Sequence, residues 1–189
     1  MTVTPLAIPD VKLITPKRFG DHRGFFAETY NRKLFAELGI PDEFVQDNHS
    51  LSREVGVVRG LHYQLHPFAQ AKLVRVIRGA IYDVAVDIRR GSPTFGKWVG
   101  AELTADNFTQ IYVPVGFAHG FVVRAPDTEV VYKVTAYYSP AHDRGIRWDD
   151  PDLAIDWGLP PEKAVLSEKD RKHPQLKDAA DLFEFQRSP

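Results

Sequence analysis

Ala80-Ile81-Tyr82-Asp83-Val84-Ala85-Val86-Asp87-Ile88 is the stretch on which the fold turns. Its even positions are apolar and its odd positions include two aspartates, the period of a strand with one buried face. Neighbouring segments share the texture. Arg59-Gly60-Leu61-His62-Tyr63-Gln64, Leu73-Val74-Arg75-Val76-Ile77 and Trp98-Val99-Gly100-Ala101-Glu102-Leu103 are short runs of strand formers, and Tyr112 to Phe121 reads as strand, tight turn, strand. Glu129 to Tyr138 alternates again, with Val130, Tyr132, Val134, Ala136 and Tyr138 on one side. Fourteen prolines and thirteen glycines punctuate these runs, as at Arg90-Gly91-Ser92-Pro93. Many short strands separated by such turns predict a mainly β protein, an antiparallel sandwich or barrel with a few short helices and a core over residues 44–138.

Outside that core the pattern loosens. Residues 11–15 begin a strand, and Phe19-Gly20-Asp21-His22-Arg23-Gly24-Phe25-Phe26 carries two turn glycines. Asn31 can cap a short helix in which Leu34, Phe35 and Leu38 share a face, ended by Gly39. Trp148 to Asp152 and Ile155 to Trp157 read as loop, and Ser167-Glu168-Lys169-Asp170 has the spacing of a helix capping box. The tail is expected to pack on the barrel, with residues after about 175 weakly ordered. A length of 189 residues suits one domain over 1–189. A net charge of −1 implies no bulk attraction to nucleic acid or membrane. The lack of cysteine excludes disulfides and thiolate chemistry. With no apolar run of membrane-spanning length and no signal pattern, the expected location is the cytoplasm.

Four side chains have types suited to proton chemistry. An imidazole can take or give a proton, and on a strand that of His62 would be held in fixed geometry. Strict alternation puts Arg59 on the opposite face, but a bulge at Gly60 would bring it round beside His62. Tyr132 lies on the apolar face of its strand, so its hydroxyl points inward and needs a partner. On residue type alone each also has an ordinary reading. His62 fills a half-buried strand position, Tyr132 is a core tyrosine, Lys72 is a solvated strand-end lysine and Asp170 belongs to the capping box.

Pro114-x-Gly116-x-x-His119 resembles the second half-motif of the cupin superfamily, small jelly-roll barrels that often bind a metal. Metal-binding members add a His-x-His pair and a downstream Glu. Here the pair is His62-x-Gln64, and Ala71-Lys72-Leu73 supplies a cation. Two histidines without a carboxylate fall short of the usual three or four ligands, and His66 has the wrong spacing beside Pro67. The expectation is a cupin-like jelly roll without a metal.

A more specific likeness runs in order through Asp21–Phe26, Phe44–Ser50, Arg59–Gln64, Lys72–Arg75, Asp83–Asp87, Gly91–Gly96, Gly116–Phe121 and Leu166–Asp170. In these segments the chain resembles the dTDP-4-dehydrorhamnose 3,5-epimerases. It departs at Ala71, where the family has glycine, in the loop 65–70, and at Asp143, where the family places glutamate. The resemblance implies a dTDP-linked 4-keto-6-deoxyhexose as substrate and no cofactor. By the same resemblance His62 is the base, Asp170 holds its other ring nitrogen, Tyr132 is the acid on the opposite face and Lys72 lies near the keto oxygen. Arg59, Arg23 and Lys169 would contact the diphosphate. Glu28, Gln46 and Asn48 would face the thymidine, Tyr138 would stack on it, and His119 and Asp143 would complete the ligand shell. Family members are homodimers whose N-terminal strands cross between subunits, so Arg23 and Glu28 would serve the neighbour's site. The rivals are a relative that inverts one carbon or shifts the ketone, a catalytically silent sugar-nucleotide binding module, and a metal-dependent cupin.

Overall fold

In the computed structural model, which describes residues 1–186, the chain is built almost wholly from antiparallel strands. Two hairpins come first, β1 (Thr2–Pro5) with β2 (Lys12–Thr15), and β3 (Arg18–Asp21) with β4 (Gly24–Ala27). The short helix α1 (Arg32–Glu37) follows. Asn31 caps it as expected, its side-chain oxygen accepting the Leu34 N–H at 3.1 Å, and Gly39 turns the chain out with φ of +76°. Then come β5 (Gln46–Ser52), β6 (Val58–Gln64), β7 (Lys72–Arg78), β8 (Ala80–Asp87), β9 (Arg89–Arg90), β10 (Trp98–Thr104), β11 (Gln110–Val113), β12 (Phe117–Val123), β13 (Thr128–Val134), β14 (Asp143–Gly145) and β15 (Phe183–Glu184). A six-stranded sheet has the order β1-β2-β11-β7-β13-β5, and a five-stranded sheet the order β10-β8-β12-β6-β14. From β5 to β8, and again from β10 to β14, successive strands alternate between the two sheets, which is how a jelly roll closes on itself.

Three apolar clusters hold the layers. Val74, Val76, Ile111 and Val113 of the six-stranded sheet meet Ile81, Ala85, Leu103 and Phe117 of the five-stranded one. Phe35 and Ile40 fix α1 against Ile14, Leu73 and Tyr112. The third cluster corrects the expectation of a single buried face on β8. Val84 and Val86 pack outward under Trp148, Leu153, Trp157, Leu176 and Phe183, while Ile81 and Ala85 face inward. Asp83 and Asp87, expected on a wet face, are fully buried. The irregular segment that covers Val84 and Val86 is secured by indole N–H groups, Trp157 donating to the Trp148 carbonyl at 2.8 Å and Trp98 to that of Leu153 at 3.1 Å.

Two further expectations change. The strand read as Glu129 to Tyr138 stops at Val134, because the carbonyls of Ala136 and Tyr137 are taken by the side-chain amides of Gln70 and Gln64 instead of a neighbouring strand. Residues after 175 were expected to be loose, yet Leu176, Ala179 and Phe183 are buried and β15 pairs with β9. The remainder of that expectation, 187–189, lies outside the described residues. Among the described residues no helix is long and apolar enough to cross a membrane.

Candidate active site

The site begins with a fault in a ladder. His62 stands opposite His119 on β12, but Arg59 stands opposite Phe121, so β6 spends one more residue than its partner between those points. Gly60 supplies it, with φ of +129°, in the region that favours glycine. A Cβ there would lie 2.5 Å from Gly120 Cα and 2.8 Å from the His119 carbonyl oxygen. Two glycines thus let β6 and β12 pass close together, and the bulge expected at Gly60 sets Arg59 and His62 on one wall.

That wall faces a cavity of about 420 Å³ between the sheets, within the roughly 300–1,000 Å³ usual for small-molecule sites. His62 comes from the five-stranded sheet and Tyr132 from the six-stranded one, and both line it. His62 Nε2 lies 2.6 Å from Asp170 Oδ1. The carboxylate side chain is only 5% exposed, the imidazole 31%. Burial pushes the Asp170 carboxyl up, but the hydrogen bond and charge of His62, with the Ser167 hydroxyl, outweigh it and hold the carboxyl below its usual value. The serine reading was half of the story. Ser167 Oγ accepts the Asp170 backbone N–H at 3.1 Å, but the turn is a three-residue 3-10 helix whose acid points at His62.

Lys72 opens β7 inside the same cavity, not in solvent. Its ammonium donates to the His62 carbonyl at 3.4 Å. Burial lowers its pKa to about 8, against the opposing pull of Asp83 and Asp143. Beside it His119 Nε2 sits 2.9 and 3.0 Å from the two carboxylate oxygens of Asp83. Burial moves His119 down, with Asp83 opposing. Burial also raises Tyr132, partly offset by Arg59, so its phenol keeps its proton at neutral pH.

The cleft continues into a second chamber of about 300 Å³ that shares His62, Lys72, Tyr132 and Lys169 with the first. Gln46, Asn48, Tyr138 and Asp143 line it. Gln46 donates to Asn48 Oδ1 at 2.9 Å and accepts the Tyr138 backbone N–H at 3.2 Å; the Tyr138 hydroxyl donates to Asp143 Oδ2 at 3.0 Å, and Lys169 pairs with the same oxygen. Tyr138 reaches the chamber from the loop after β13, not by the strand parity first read for it. Eleven of the thirteen residues expected at the site therefore line one cleft, while Arg23 and Glu28 do not. Arg23 sits in the exposed β3–β4 hairpin, paired with Asp21. Among the described residues neither Arg59 nor Lys72 makes an ion pair, so the cleft offers uncompensated positive charge. Sequence reasoning missed Asp83 as the partner of His119, hidden by its place on a face read as wet, and His173, a histidine in an irregular tail.

Among the described residues, three side chains of metal-ligating type, His62, Asp170 and His173, bring their ligand atoms within 4.8 Å of one another. Two ligands of a tetrahedral ion bound at about 2 Å stand roughly 3.3 Å apart. The 2.6 Å between His62 and Asp170 is the spacing of a charge-assisted hydrogen bond. As arranged, the pair is built to hold a proton.

Residues 5–178 match the family model described as dTDP-4-dehydrorhamnose 3,5-epimerase. Proteins of that description from Sinorhizobium fredii and Pseudomonas aeruginosa are 54% and 56% identical over 182 and 180 residues; the alignments cover 95% of this chain and 92% and 98% of theirs. The dTDP-6-deoxy-D-glucose-3,5-epimerase of Legionella pneumophila, solved in complex with dTDP-4-keto-L-rhamnose, superposes with a TM-score of 0.93 at 47% identity, covering 98% of this chain and 99% of that one. With a cupin-like jelly roll, a histidine–carboxylate pair facing a tyrosine and near-complete matches of this kind, the chain belongs to the dTDP-4-dehydrorhamnose 3,5-epimerase family of isomerases.

Proposed function

We propose that this protein converts dTDP-4-dehydro-6-deoxy-D-glucose to dTDP-4-dehydro-L-rhamnose by inverting carbons 3 and 5 of the sugar. The observation that carries the reading is the placement of His62 and Tyr132 on facing sheets of one cavity. A ketone at carbon 4 acidifies the C–H bonds on both sides of it. Asp170 occupies His62 Nε2, which leaves Nδ1 to take the proton. The carboxylate then favours the imidazolium that forms. Lys72 stabilises negative charge developing on the keto oxygen, worth most in a site closed from water. The Tyr132 phenol returns a proton to the opposite face of the carbon, and solvent resets both groups.

Arg59 and Lys169 suit the diphosphate, using charge-assisted hydrogen bonds. Gln46, Asn48 and Tyr138 suit the base, with His119 and Asp143 completing the shell. Arg23 and Glu28 fit as gifts from a second subunit. The hairpin that carries Arg23 exposes Phe19, Phe25 and Phe26 to 56%, 59% and 71%, an apolar surface suited to crossing into a partner in a homodimer. The test is incubation with dTDP-4-keto-6-deoxyglucose in heavy water, followed by a stereospecific 4-ketoreductase. Deuterium at both carbons and formation of dTDP-L-rhamnose are expected. Label at one carbon alone would establish the single-inversion rival, and no label would reduce the protein to a binding module.

A further inference from the structure

His173 follows the 3-10 turn of Asp170 and packs its ring flat against Gly145 on β14, the residue paired with His62 in the ladder. Gly145 has no positive φ to explain a glycine. What demands it is the imidazole, because a Cβ at that position would run into the ring atoms of His173. The ring stands edge to face with His62, centroids 5.5 Å apart at 85°. Its Nδ1 is buried with no hydrogen-bond partner among the described residues, and lies 3.9 Å from Asp170 Oδ1, the oxygen that binds His62. Buried donors without partners are rare and need a reason.

Resting on the reading of His62 as the base, we infer that His173 is a positioning residue for the His62–Asp170 pair, its Nδ1–H facing the carboxylate from the side away from the substrate. It lines neither chamber of the cleft but a separate cavity of about 290 Å³ behind β14. A closing movement of about 1 Å completes the hydrogen bond. Seven titratable or charged groups surround the ring. They are His62 from β6, Asp143 and Arg144 from β14, Lys169 and Asp170 from the turn, and Tyr63 and Asp181 across the rear cavity. Burial first, then His62, hold His173 below its usual pKa, against Asp170 and Asp143, so the ring is a neutral donor near pH 7. A neutral N–H directed at the same carboxylate oxygen spreads its charge. Asp170 then grips the protonated base less tightly, and the base can shed its proton in every cycle.

Two variants separate this role from packing. His173→Phe keeps a ring on Gly145 without the nitrogen; His173→Asn keeps an N–H near Asp170 without the ring. In His173→Phe the acidic limb of the kcat/KM profile should move up by about half a pH unit, with kcat down several-fold and KM unchanged. His173→Asn should restore the limb. The ring titration of His62, followed by NMR in the substrate-free protein, should move the same way whether or not the enzyme turns over. Should His173→Phe fail to fold, Gly145→Ala, which displaces the ring from its seat, carries the same expectation. Profiles and titrations that superimpose on wild type, or that shift equally in both His173 variants, overturn the inference. A wild-type protein without epimerase activity would instead sink the proposed function, with the NMR titration still deciding the coupling.

Discussion

Replacing Lys72 by methionine should make the protein more stable and nearly inactive. The ammonium is buried between the sheets, and its pKa falls from 10.5 to about 8, chiefly through burial. At about 1.4 kcal/mol for each tenfold change in proton affinity, keeping that charge in the fold costs about 3 kcal/mol at neutral pH. Methionine is close in volume and removes the cost. The lost hydrogen bond to the His62 carbonyl is long, so it returns less than about 1 kcal/mol. Between pH 8 and 10.5 the unfolded chain holds the lysine proton more tightly than the folded one, so wild-type stability rises with pH across that window. Below pH 8 both states are protonated and the deficit is constant. The advantage of Lys72→Met should therefore be about 2–3 kcal/mol at pH 7 and close toward zero near pH 10.5. Urea denaturation of both proteins at fixed protomer concentration, at several pH values, measures it, and groups common to both cancel in the difference. Turnover should fall by roughly two to three orders of magnitude, the scale of losing one stabilising group at a developing oxyanion. In the wild type, kcat/KM should decline as pH rises through about 8. A variant that is destabilised at pH 7, or whose advantage is the same at every pH, would refute the reading of Lys72 as a buried cation retained for chemistry.

Asp170→Asn leaves the site its shape but removes the charge beside His62, and kcat should fall about 10²–10⁴-fold, measured with the coupled ketoreductase. Gly60→Ala forces a side chain onto β12 at positive φ, with an expected loss of about 2–5 kcal/mol in urea denaturation; unchanged stability would mean that the bulge is not needed. Arg23→Ala and His62→Ala should each be nearly inactive, yet co-refolding them should recover about a quarter of wild-type activity, since random pairing yields half hybrid dimers with one intact site each. No recovery, with dimers present, would show that Arg23 acts in its own subunit or not at all.

What could be read from the sequence was whatever depends on near neighbours. The Asn31 cap, Gly24 after the β3–β4 turn and the bulge at Gly60 are local devices, and each does in the fold what its residue type allows, whereas Gly20, also read as a turn residue, lies inside β3 paired with Phe25. Ser167 and Asp170 were legible as a pair, but the destination of the acid was not, because His62 reaches it from another part of the chain. The double burial of β8 failed for the same reason: period two reports one face of a sheet, and the cover on the other comes from an irregular segment around Trp148 and Trp157. Tyr138 was assigned to the right chamber by a wrong route, since glutamine side chains end the strand four residues before it. His173 had no local signal, its seat being a gap left by Gly145 on another element.

The site's precision follows from where its polar groups stand on otherwise apolar strands. Along β7, Lys72 opens the strand and Val74 and Val76 enter the core; along β13, Tyr132 is flanked by buried Val130 and Val134. On β12, His119 lies between Phe117 and Phe121, which pack into the core between the sheets. Each of these polar side chains is thus anchored by buried neighbours on its own strand. The same placement explains why the energetic cost is tolerated. A buried ammonium at Lys72 and a buried histidine–aspartate pair at His119 and Asp83 are gathered at one cleft, where the two sheets part and the apolar cluster ends. Spread through the core, such groups would each demand their own compensation. Concentrated there, His119 and Asp83 compensate each other through a short hydrogen bond, and the charge that Lys72 keeps without an ion pair is what a doubly anionic substrate would neutralise on binding.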